Sequence, residues 1–176
     1  MTFGENVCAT LIGTVAGFLF SIALFYVREK VKHTREREKT IKNLRREFVY
    51  DVGLLGEWVR NLTTARAQVA AGTNVFRTIP YTRFSRAFVQ EAFRSGIIFE
   101  IFNDEEVASI DELLGFFWTG GEQFVNDKLA KWDYKREEIS AKEVVDMLQF
   151  NIEKIEEHQK TLGVLVKKCD AALKQG

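Results

Sequence analysis

Val7 to Val27 is an unbroken run of 21 residues with no charged side chain and no proline, and it limits the chain's folds more than any other stretch. As a helix it measures about 30 Å at ~1.5 Å per residue, the hydrocarbon thickness of a bilayer. Thr10, Thr14 and Ser21 are its clearly polar members, and a helix can return their hydroxyls to its own carbonyls. The run therefore predicts a single transmembrane helix over residues 7–27, preceded by a short extracytoplasmic segment, residues 1–6. No Lys or Arg stands before it, and it ends in FYVREK without a small-x-small cleavage site. It reads as an anchor and not as a cleaved leader.

Charge sets the expected orientation. Residues 28–47 hold nine Lys/Arg against four Glu, whereas only Glu5 and the amino terminus are charged ahead of the run. That bias puts the C-terminal side in the cytoplasm and the N-terminus outside the cell membrane. Arg28, Lys30 and Lys32 would then meet lipid head groups. Ala9, Gly13, Gly17 and Ser21 recur every four residues, forming one ridge of small side chains along which a second helix could approach closely. The ridge predicts a homo-oligomer.

Residues 28–176 predict a cytoplasmic antiparallel helical bundle, so the fold class is all-α. A stalk helix over 28–71 leaves the apolar run. Its column Thr34, Ile41, Phe48, Leu55, Leu62, Val69 repeats every seven residues, and a weaker column runs Val31, Glu38, Arg45, Val52, Val59, Arg66. The seam strengthens after about residue 41. Gly53 and Gly56 suggest a bend or a close helix contact. Residues 72–82 contain the sole proline and read as a loop. A short helix over 83–95 should stop at Gly96. IIFEIF, residues 97–102, is strand-like but has no partner strand, which makes it a buried connector or helical turn.

A helix over 104–134 follows, capped by Asn103 or Asp104. Ser140 and Glu143 have capping-box spacing and open a last helix over 141–174. Its seam is Val145, Leu148, Ile152, Ile155, Gln159, Leu162, Val166, Cys169, Leu173. Short connections make the stalk and the last helix a long antiparallel pair.

Chemistry is sparse. Charges balance to zero, which gives no global field for nucleic acid. His33 and His158 lack neighbours at ligand spacing and read as solvated; Cys8 and Cys169 are too far apart for a framework, and Cys169 reads as a buried thiol. Acidic residues are scattered without a singled-out pair. No catalytic residue, cofactor or metal is expected. Phe116, Phe117 and Trp118 are consecutive on a helix and cover ~200° of its circumference, so either one or two face a neighbouring protomer or another protein, or the helix is central to the bundle and buried on most sides. Gln159, the polar member of the last seam, is a second candidate interface residue.

The layout of a basic stalk after one apolar helix, then FVQEAFRSGII and IDELLGFFW, then a long helix, resembles uncharacterised prokaryotic single-pass membrane proteins with a helical cytosolic domain. A Glu–Asn pairing at helical spacing is frequent in those proteins after the membrane helix; here Glu47 is followed by Tyr50 and Asp51. The resemblance implies no activity. The expectation is a non-enzymatic, membrane-anchored scaffold that self-associates and presents its bundle to an unidentified cytoplasmic partner. The alternative is a homo-oligomeric channel lined by the single helix, with Thr10, Thr14 and Ser21 wetting one face.

Overall fold

The computed structural model describes residues 3–75, 79–80, 83–118 and 121–174, without the side chains of 3–12, 118 and 121–123. Among the described residues six helices follow one another: α1 (Phe3–Ala70), α2 (Ala87–Ser95), α3 (Ile97–Ile101), α4 (Asp104–Trp118), α5 (Gly121–Tyr134) and α6 (Ala141–Lys174). Among the described residues there is no strand, and the strand-like run is α3. Two compact units divide the chain, residues 1–39 and residues 40–175.

The first unit overturns the membrane expectation. No helix among the described residues is long and apolar enough to cross a membrane. Residues 7–12 of the expected span, with Ala9 of the ridge, lie outside the described side chains. The single-pass placement with an outside N-terminus and a cytoplasmic C-terminal side is therefore dropped, and the channel and the head-group role of Arg28, Lys30 and Lys32 go with it. Those three cations are exposed, and Lys32 lies 4.0 Å from Glu36 one turn on. Ser21 donates its hydroxyl to the Gly17 carbonyl at 2.8 Å, leaving that ridge without an unmet polar group.

In the second unit, α1 buries a broad stripe. Ile41, Phe48, Leu55, Leu62 and Val69 are almost completely buried, as their seven-residue spacing requires of one helix face. The second buried column is Leu44, Asp51, Trp58 and Ala65, one residue ahead of the column expected from Val52 and Val59, which are half-buried. An acid in the middle of that column hides it from a hydropathy reading.

α6 runs antiparallel to this part of α1. Arg45 pairs with Asp170, Gln159 donates to the Val52 carbonyl at 3.0 Å, and Arg66 donates to Gln149. The Gln159 contact exists because residue 56 is glycine: a Cβ there would stand 3.0 Å from Gln159 Nε2. Gly53 faces open space. The buried face of α6 is Val144, Leu148, Asn151, Ile152, Ile155, His158, Leu162, Leu165 and Cys169, rotated slightly from the expected seam so that Val145, Gln159, Val166 and Leu173 sit at its edge. Burial pushes the Cys169 thiol up to about 12, which keeps it protonated and inert.

The expected helix over 104–134 covers α4 and α5, with Thr119 and Gly120 between them outside the described residues. α4 starts with a reciprocal box: Asn103 Oδ1 accepts from Glu106 N at 2.9 Å, and Glu106 Oε2 accepts from Asn103 N at 3.0 Å. Glu143, expected to cap α6, instead reaches Lys128 at 2.5 Å. The segment after α1 is pinned to α5. Asn126 accepts from Ile79 N at 2.9 Å and donates to its carbonyl at 3.0 Å, while Asp133 accepts from Val75 N at 2.6 Å. A side-chain amide thus takes the place of a neighbouring strand, and Val75 and Ile79 enter the core.

Candidate functional site

α2 begins without a cap of its own. Arg86 stands at the N-cap position and makes no side-chain cap hydrogen bond, although the first turn of a helix leaves its N–H groups without partners. α1 supplies them. Glu47 Oε2 accepts from Phe88 N at 2.9 Å and Glu47 Oε1 accepts from Val89 N at 2.9 Å. Those are the second and third residues of α2, the N–H groups an N-cap side chain would serve. Ser85 donates its hydroxyl to Glu47 Oε2 at 2.8 Å, and its backbone N–H donates to Asp51 Oδ1 at 3.0 Å.

Both carboxylates are buried, Glu47 at 4% exposure and Asp51 at 1%. A gap bounded by Phe48, Phe84, Val89, Ile110 and Leu162 lies beside Asp51 and has no room for a water molecule. Burial therefore raises the Asp51 carboxyl to about 7; the Ser85 N–H pulls it down and the neighbouring Glu47 charge adds to the rise. Four donors on the pair make it a structural clamp. The sequence signal for it is two acids at i and i+4 flanked by Leu44, Phe48, Leu54 and Leu55, on a face that is otherwise apolar.

Above the clamp lies an open groove of about 460 Å³ lined by Arg46, Glu47, Tyr50, Arg83, Ser85 and Phe88. Arg46, Tyr50 and Arg83 are exposed and Phe88 is half-buried. Neither guanidinium has a hydrogen-bond or ion-pair partner among the described residues.

The aromatic candidates turn inward. Phe117 stacks on Phe84 with centroids 4.4 Å apart and meets Trp58 edge-on at 5.4 Å. Phe116 lies 4.9 Å from both Phe117 and His158. Both phenylalanines are half-buried against the core, and the Trp118 side chain lies outside the described residues. Gln159 is held by α1. His158, expected on the solvated face, is 6% exposed, because the buried face of α6 includes it. Burial pulls its imidazole below the ordinary range, with Glu112 and Glu157 opposing and Lys154 assisting. Its Nε2 has no hydrogen-bond partner among the described residues, and it packs as a ring among rings. His33 is exposed.

Among the described residues no group of His, Cys, Asp and Glu could hold a metal ion. No family model, no curated protein and no solved structure matches the chain.

Proposed function

We propose that this chain is a non-enzymatic helical interaction protein: copies associate through the apolar part of α1, and the bundle of the second unit is presented to a partner protein. The observation that carries the reading is the uncovered surface between Gly13 and Val27. Phe18, Phe20, Phe25 and Tyr26 are each 65% or more exposed, and Val15, Leu19, Leu24 and Val27 are also open. Contiguous apolar surface of this kind marks an interaction site. A second copy suits it because the small residues Gly13, Gly17 and Ser21 share one side, and a Cβ at either glycine would meet nothing within 4 Å. That side is where another backbone can come closest.

The test uses two variants of the full chain. Gly17→Ile puts a branched side chain on the ridge, and within one chain it meets only open space. Leu19→Ile changes shape off the ridge. Crosslinking and sedimentation should show a reduced oligomer for Gly17→Ile and the wild-type oligomer for Leu19→Ile. A monomeric wild type, or an oligomer that survives in both variants, refutes the reading.

A further inference from the structure

We propose that the groove between α1 and the start of α2 binds an acidic peptide segment of a partner protein, its carboxylates held by Arg46 and Arg83 and an apolar side chain seated between Tyr50 and Phe88. This deepens the interaction reading by naming the surface and the chemistry of the partner.

Two positive side chains from different elements line one concavity, and among the described residues neither is spent on a carboxylate. Arg45, Lys128, Lys135, Lys154 and Lys168, by contrast, have acidic partners. The planar forks of arginine match carboxylates two bonds at a time. The one acid in the groove is already occupied. Glu47 faces inward with three donors on its two oxygens, so its charge is held by the α2 terminus and does not neutralise the rim. Tyr50 supplies an exposed ring with a polar tip one helical turn from Arg46, and Phe88 faces it from α2. Such amphipathic rings anchor protein interfaces. The groove is fixed in shape because the Glu47 and Asp51 clamp holds both of its walls together.

Fluorescence anisotropy on the full chain tests this with a labelled probe peptide, Glu-Glu-Phe-Glu-Glu, and a Gln-Gln-Phe-Gln-Gln control. The wild type should bind the acidic probe saturably, bind the neutral one at least about tenfold more weakly, and lose affinity as salt is raised. Arg46→Glu and Arg83→Glu should each weaken the acidic probe about tenfold or more. Lys160→Glu, the same charge change on the exposed side of α6, should leave it unchanged, and so should Gly17→Ile. Retention in Gly17→Ile separates the groove from self-association, so either can fail alone. Equal binding of the two probes, no binding of the acidic one, or charge reversals no different from Lys160→Glu overturns the proposal. Tighter binding of a single-stranded oligonucleotide at the same two arginines also overturns it, in favour of a phosphate backbone.

Discussion

Replacing Asp51 by Asn should make the second unit more stable at neutral pH and remove a pH dependence. In the folded chain the Asp51 carboxyl titrates at about 7; in an unfolded chain it titrates near ~3.9. Between those values the folded state keeps a proton that the unfolded state releases. Stability from this group is therefore complete below about pH 4, falls as pH rises, and is lost above about 7. Three units of difference correspond to about 4 kcal/mol at ~1.36 kcal/mol each. Asn keeps an oxygen for the Ser85 N–H, which lies 3.0 Å from Asp51 Oδ1, and carries no charge to bury. Urea denaturation of wild type and Asp51→Asn, followed by circular dichroism from pH 4.5 to 8, measures the difference. Other acids cancel in that difference, including Glu106 and Glu157, whose lowered carboxyls act in the opposite sense. The variant should gain about 2–4 kcal/mol at pH 8 relative to pH 4.5. A difference that does not change with pH would mean that Asp51 is ionised at no cost, and the account of the buried pair would fail.

Ile155→Asp should unfold or loosen the second unit in a thermal melt, since Ile155 is fully buried and an unpaired buried carboxylate costs several kcal/mol; Glu153→Ala, on the exposed side of α6, should stay within about 0.5 kcal/mol of wild type. Gly56→Ala should destabilise despite the better helix propensity of Ala, because the new methyl crowds Gln159 Nε2 at 3.0 Å. Adding Gln159→Ala should recover part of the loss in a double-mutant cycle. Asn126→Ala removes both hydrogen bonds to Ile79, and limited proteolysis should then cut between residues 72 and 86 faster while the midpoint of global unfolding moves less.

Some of this architecture could be read from hydropathy spacing. The column from Ile41 to Val69 needs only a period of seven, and α6 offers apolar residues three and four apart throughout, so its bounds and its antiparallel pairing with α1 follow. The places that escape such a reading share a cause: a polar residue inside or beside the buried face. Asp51 interrupts a column that Leu44, Trp58 and Ala65 would otherwise announce. His158 looks solvated beside Glu156 and Glu157 until helix rotation places it under Phe116. The late start of α2 at Ala87, four residues after the expected one, depends on a carboxylate 41 positions upstream, beyond any local window. The groove escapes for the same reason, since Arg46 and Arg83 meet only once the clamp has joined their elements. The membrane expectation came from counting apolar residues, and it fails because no helix among the described residues is long and apolar enough to cross a membrane.

The borrowed cap of α2 also has a consequence for the order in which the chain folds. A nine-residue helix is too short to persist alone in water, where nucleation is unfavourable and fewer than about 12 residues are marginal. With the N–H groups of its second and third residues served by Glu47 and the preceding Ser85 held by Glu47 and Asp51, α2 has no local reason to form before those acids are in place. α1 must therefore be helical around residues 47–51 first, and α2 condenses onto it. A peptide covering residues 83–96 should be a random coil by itself, and in kinetic experiments α2 should belong to the late steps, its mutations accelerating unfolding with little effect on the folding rate.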